Sequence, residues 1–158
     1  MKIKGIISED FVNYKKPSMT IEFPFCSFKC DKECGQQVCH NSKLALAPSQ
    51  DFAIDLIVQM YLNNDITKAI VFQGLEPFDS NTDLFQLIEL FRQYTLDDIV
   101  IYTGYNEEEL TDDLYVLKTL FKNIIIKFGR FIPNQSSHYD KILGVNLSSP
   151  NQYAKKIC

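Results

Sequence analysis

Positive charge is in short supply in this 158-residue sequence. Sixteen Lys and Arg stand against twenty Asp and Glu, for a formal net charge of −4 and a sequence pI near 5.1. Nucleic-acid binders carry a basic face or stripe. Here the basic doublets Lys15-Lys16 and Lys155-Lys156 are isolated, so no nucleic-acid partner is expected. Long hydrophobic runs are missing too. A membrane-spanning helix needs about eighteen or more consecutive apolar residues, and no stretch reaches that length. Met1-Lys2-Ile3-Lys4 leads into a short alternating segment rather than the apolar core of a signal peptide, which points to a cytoplasmic protein. Tryptophan is absent, and there is no internal repeat, low-complexity tract or long linker. The expectation is one domain over residues 1–158, with enough apolar content (46%) for a real core.

Cysteine is scarce everywhere but in one place. Cys158 stands alone, whereas Cys26, Cys30, Cys34 and Cys39 crowd into one short segment closed by His40-Asn41. The segment follows an apolar, β-like run from Thr20 to Phe25. Three chemistries can use such a cluster. Disulfides need an oxidising compartment, and an odd cysteine count fits a disulfide framework poorly. Structural zinc sites usually divide their ligands between two knuckles; here no second pair follows, and His138 is alone. An iron–sulfur cluster can be held by thiolates from one loop.

Hydrophobic periodicity alternates between strand and helix. Ile3 to Ile7 and Met19 to Phe25 read as strands. Pro48-Ser49-Gln50-Asp51 reads as a helix start capped by Ser49, with Phe52, Leu56, Ile57, Met60 and Tyr61 as an apolar stripe. Ala69 to Phe72 is a short buried strand. Asp79-Ser80 is expected to cap a second helix, with Leu84, Leu87, Ile88 and Phe91 facing inward. Asp98 to Tyr102 is the next strand, Glu107 to Phe121 a third helix, and Asn123 to Ile126 another strand. Such a βα alternation implies a mainly parallel sheet with packed helices. An eight-fold barrel needs about 250 residues, so an α/β fold in the form of an open partial (β/α) barrel is expected.

In such folds the chemistry gathers at the C-terminal ends of the strands. Four segments fall there: the cysteine loop, Gln73-Gly74-Leu75-Glu76-Pro77, Thr103-Gly104-Tyr105 and Phe128-Gly129-Arg130-Phe131. Each alone is an ordinary turn signal; together with a thiolate loop they outline one rim.

These segments, taken in order, resemble the radical S-adenosylmethionine family, and within it the small activating proteins of anaerobic ribonucleotide reductases. The resemblance covers about Asp10 to Gln152. Asp10-Phe11-Val12-Asn13 resembles the activating proteins' N-terminal motif. Cys26-Ser27-Phe28-Lys29-Cys30 resembles the first half of the radical cysteine motif, and Cys39-His40-Asn41 its end. Gln73-Gly74-Leu75-Glu76-Pro77 stands where the family has Gly-Gly-Glu-Pro, Tyr102-Thr103-Gly104-Tyr105 where it has Trp-Thr-Gly-Tyr, and Ser149-Pro150-Asn151-Gln152 where it has Ser-x-Asn-Gln. The chain departs from the pattern in three places. The third cysteine follows Cys30 by three residues (Cys34) or eight (Cys39), against two in the family. The second motif is one residue longer. Phe128-Gly129-Arg130-Phe131 replaces Asp-Gly-Lys-Tyr.

The resemblance implies a [4Fe–4S] cluster on Cys26, Cys30 and Cys39, with Cys34 as the alternative third ligand. Three cysteines leave one of four irons without a protein ligand. By resemblance, that iron takes the amino and carboxylate groups of S-adenosylmethionine, whose reductive cleavage yields a 5′-deoxyadenosyl radical. Backbone oxygens of Gln73, Gly74 and Leu75 would accept from the methionine ammonium. Gly74 would let the backbone approach that end closely, so that a side chain there would intrude on the ligand. Glu76 would support the ammonium or cap the following turn. Phe28 would lie against the adenine or be buried beneath the loop. Thr103 and Tyr105 would line the adenosyl pocket, and Asn151 would bind the carboxylate end. His40 is read as a hydrogen-bonding residue of the loop. The implied activity is that of an activating oxidoreductase installing a glycyl radical on an anaerobic ribonucleotide reductase, with an electron donor such as flavodoxin or ferredoxin. A radical enzyme acting on another small molecule or peptide, and a non-catalytic metal-binding adaptor, stay open beside it.

Overall fold

Four largely buried strands organise the molecule. The computed structural model describes residues 1–158. In chain order its elements are β1 Lys2–Ile3, β2 Gly5–Asp10, β3 Ser18–Phe23, α1 Lys29–Cys34, α2 Ser42–Leu46, β4 Gln50–Asp51, α3 Ile54–Leu62, β5 Ala69–Gly74, α4 Asn81–Tyr94, β6 Asp98–Tyr102, α5 Thr111–Leu120, β7 Ile124–Phe128, β8 His138–Asp140, β9 Val145–Leu147 and β10 Tyr153–Lys156. Short 3₁₀ turns, Pro77–Ser80 and Glu107–Leu110, lead into α4 and α5. The main sheet has the order β10-β7-β6-β5-β3-β2. Its centre, β3, β5, β6 and β7, is parallel; β2 and β10 close the edges antiparallel. The fold is thus α/β, but the sheet is mixed and open, and the expected partial barrel is met only as an open sheet.

Residues alternate between the two faces of a strand, and the two faces are dressed differently. Ile70 and Phe72, Ile99 and Ile101, and Ile124, Ile126 and Phe128 pack with Ile57, Val58 and Tyr61 of α3, Leu84, Leu87, Ile88 and Phe91 of α4, and Leu114 and Leu117 of α5. All three crossover helices therefore cover one face. Ala69, Val71, Val100 and Ile125 face the other way, onto Tyr14, Leu143, Leu147 and Ala154. That second face is roofed by the bend after β2 and the β8–β9 hairpin, and its strand ends are left for the site.

Three local expectations are corrected. The run Ile3 to Ile7 is broken into β1 and β2. The helix expected after Ser49 begins at Ile54, because Gln50–Asp51 pairs with β1 (Lys2↔Asp51, Ile3↔Gln50) and Phe52 O accepts from the Met1 amine. Its buried face is Ile57, Val58 and Tyr61, while Leu56 is 52% exposed. Ser80 makes no cap bond, and Asp79 is spent elsewhere, as described below.

Candidate metal centre and its cavity

At the C-terminal ends of β3, β5, β6 and β7 the chain encloses a cavity of about 520 Å³, within the range of small-molecule sites. Cys26, Cys30, Cys39, Gln73, Gly74, Leu75, Glu76, Thr103 and Tyr105 all line it. Segments far apart in sequence meet there because parallel strands put all their C-terminal ends on one edge.

The cysteine loop leaves β3 and turns at Phe28, a non-glycine residue in the left-handed region (φ 52°). Cys30 lies in α1, and Cys34 ends it, before Gly35 reverses the chain. The chain is then folded back by Asp31, whose carboxylate accepts from the N–H groups of both Val38 and Cys39 at 2.8 Å. This return brings Cys39 to the cavity beside Cys26 and Cys30, while Cys34 stays outside the lining. Cys26 Sγ accepts the backbone N–H of Phe28 at 3.2 Å. Such N–H donors support sulfur in its anionic form and are among the groups that tune iron–sulfur clusters.

Burial works against the thiolates. It pushes the Cys26 thiol up to about 12, with the carboxylates of Glu76 and Asp79 adding to the effect. Burial raises Cys30 and Cys39 as well. Buried sulfurs that need a cation to ionise fit a metal-cluster site. A cubane would distribute its thiolates over separate irons, which suits three cysteines spread along one cavity wall. All five cysteines are free thiols, so the disulfide alternative has no support.

Glu76 is 4% exposed. Its carboxylate accepts from Thr103 Oγ1 (2.8 Å), Gly104 N (2.8 Å) and Phe78 N (3.2 Å). It ties the end of β5 to the end of β6 and caps the turn at Pro77, the structural use of the two that sequence allowed. Burial raises its pKa to about 7, against the pull of these three donors. Gly74 has φ +98°, and a Cβ there would stand 2.8 Å from Phe23 N and 2.9 Å from Glu22 Cα. Glycine is thus required by the neighbouring β3 backbone. That demand stands in addition to the expected close approach to a ligand, since Gly74 also lines the cavity. The Gly74 carbonyl is engaged by the Asn41 side-chain amide at 2.5 Å.

Two expected residues fall outside the lining. Phe28 caps α1 and is partly exposed. Asn151 is exposed and donates its amide to Arg130 O at 2.7 Å, while Gln152 reaches the cavity. His40 lines the cavity with its ring 3.8 Å from that of Phe131.

Sequence reading missed several residues that hold the site together. Asp79 accepts from Ser27 N and from Tyr105 OH, each at 2.5 Å, fastening the start of the cysteine loop to two strand ends. Arg130, 6% exposed, forms a two-pronged pair with Glu109 at 2.7 Å and places Nε 3.0 Å from Glu33 of α1, without hydrogen-bond alignment. Lys29 of α1 joins Glu109 at 3.0 Å and lies over the Tyr105 ring. Lys127 is buried in the cavity wall. A lysine inside Ile124-Ile125-Ile126-Lys127-Phe128 was the one legible signal among these; the others are long-range pairings with no linear pattern.

An open α/β sheet with three cysteines in one cavity at its strand ends is the arrangement an iron–sulfur domain requires. The family model of 4Fe-4S single cluster domains matches residues 19–152, and the chain belongs to that family. No curated protein and no solved structure matches it. The cofactor is accordingly a [4Fe–4S] cluster. No helix is long and apolar enough to cross a membrane.

Proposed function

We propose that this chain is a radical S-adenosylmethionine activating enzyme, with the cluster held by Cys26, Cys30 and Cys39. The observation that carries the reading is one cavity shared by three cysteines and the Gln73–Glu76 turn, with volume to spare for a small molecule. A three-cysteine set leaves the cluster an open iron. Bound there, the cluster would pass one electron from an external donor to S-adenosylmethionine, whose reductive cleavage would give methionine and a 5′-deoxyadenosyl radical.

The protein's part is binding, orientation and exclusion of water. Asp79 and Asp31 fix the two ends of the cysteine loop. Glu76 holds Thr103 and Gly104 against the ligand turn. Tyr105 and His40 supply walls. A protein substrate suits the cavity mouth: Val12 in the lining and Phe25 beside Cys26 are 76% and 53% exposed. A glycine loop of an anaerobic ribonucleotide reductase fits such an open rim, with flavodoxin or ferredoxin as electron donor and the cytoplasm as its place of work.

The test is anaerobic reconstitution with iron and sulfide, followed by reduction in the presence of S-adenosylmethionine. About four irons per chain and release of 5′-deoxyadenosine are expected. Enhancement of release by a reductase subunit would identify the partner class. A full cluster without any cleavage would overturn the radical reading.

A further inference from the structure

Lys127 is the residue that the site, as described so far, leaves without a task. Every residue of β7 is buried. Alternation sends Ile124, Ile126 and Phe128 toward the helices and Ile125 and Lys127 toward the other face. Lys127 Nζ donates to Gly129 O at 2.9 Å and, loosely, to Thr103 O at 3.5 Å. Both acceptors are neutral, and none of the structure's ion pairs includes Lys127. Buried charges are normally paired or compensated.

The cavity that Lys127 lines is the open side from which a compensating charge would reach it. Burial lowers the pKa of Lys127 to about 8, against the opposing pull of the Glu76 carboxylate and the Cys30 sulfur, so an anion in the cavity is what keeps it charged. Glu76 is already occupied by three donors from Phe78, Thr103 and Gly104. The other cation close to Cys30, Arg130, is neutralised by Glu109 and Glu33. Lys127 and the cluster ligand Cys30 thus line one cavity across the Thr103-Gly104 turn: Nζ lies 3.5 Å from Thr103 O, and a Cβ on Gly104 would stand 3.7 Å from Cys30 Sγ.

We propose that Lys127 is a positioning charge for the cluster: its buried ammonium stabilises the reduced [4Fe–4S] state and so raises the reduction potential. The inference rests on the cluster being held by Cys26, Cys30 and Cys39. Reduction adds one negative charge, and a fixed cation in a poorly screened site favours that state. Removing the charge while keeping the volume must make reduction harder.

Lys127→Met, Lys127→Gln and Lys127→Arg, reconstituted beside the wild type, test this by iron analysis and by redox titration of the cluster's paramagnetic signal. Met and Gln should lower the reduced-to-oxidised ratio at a fixed potential by about tenfold or more, a midpoint about 59 mV more negative. Arg should stay near the wild type. An iron-loaded Met or Gln variant with the wild-type midpoint overturns the proposal and leaves the cluster assignment standing. Loss of iron from Met and Gln but not from Arg supports charge compensation by another route; loss from all three shows a packing role and overturns it. A wild type that holds no cluster overturns the underlying reading itself.

Discussion

The side-chain amide of Asn41 donates to the main-chain carbonyl of Gly74 at 2.5 Å. This contact joins the residue two positions beyond Cys39 to the end of β5, so the last part of the cysteine loop and the ligand turn move as one. Asn41→Ala should remove it at a cost of about 0.5–1.5 kcal/mol. The cluster should then be lost several-fold faster to a chelator. An unchanged rate of iron release would show that Asp31 alone holds that end of the loop.

Cys39 and Cys34 should behave differently. Cys39 reaches the cavity through the Asp31 fold-back, whereas Cys34 stays outside the lining. Cys39→Ala should lose most reconstituted iron, and Cys34→Ala should retain it. The reverse pattern in iron and sulfide analysis would reassign the third ligand.

Gly74→Ala should destabilise the fold before it affects any ligand. The left-handed backbone costs a side chain about 1–3 kcal/mol, and the new Cβ would press on the β3 backbone at 2.8 Å. A lowered thermal midpoint of the cluster-free protein is the expected readout. A variant as stable as the wild type would refute the β3 clash.

The Glu109–Arg130 pair should give an acid-sensitive contribution to stability. Hydrogen bonding to Arg130 holds the Glu109 carboxyl down at about 2, against an ordinary 4.5. For a depressed acid the stabilisation is fully present above the ordinary value and is lost as pH falls toward the folded one. Denaturation of the wild type and Glu109→Gln should differ at neutral pH and converge as pH drops from about 4.5 to about 2. A difference that persists unchanged through that window would argue against the ion pair as its source.

Cluster removal should loosen the loop and spare the sheet. Neither α1 nor α2 contains a buried residue, while the strands and α3–α5 share a continuous core. Local openings of low cost follow from few buried apolar contacts. Hydrogen exchange of residues 27–46 should therefore speed up in the apo protein, with far-UV circular dichroism nearly unchanged. Equal protection with and without iron would mean that the polar ties suffice.

Much of this was legible in the chain. The inward residues of α4, Leu84, Leu87, Ile88 and Phe91, were read directly from their helical spacing. The strands from Ala69 and from Asp98 were visible as short apolar runs. The four rim segments followed from the rule that strand ends carry sites. The start of α3 was not legible, because the pairing of Gln50–Asp51 with β1 lies some fifty residues away in sequence and overrides a plausible Ser49 cap. Phe28 and Asn151 were expected at the ligand; the turn at Phe28 and the Asn151 bond to Arg130 O put them outside the lining.

Local composition and period determined that this chain is an α/β domain with a thiolate-rich loop at a strand end, since both signals reside in neighbouring residues. Which cysteines share a cavity, why Gly74 must be glycine, and where Lys127 puts its charge were decided by tertiary structure alone. Each depends on distance across parallel strands and on burial. Those quantities exist only once Asp31, Asp79 and Glu76 have brought separate loops to one edge of the sheet.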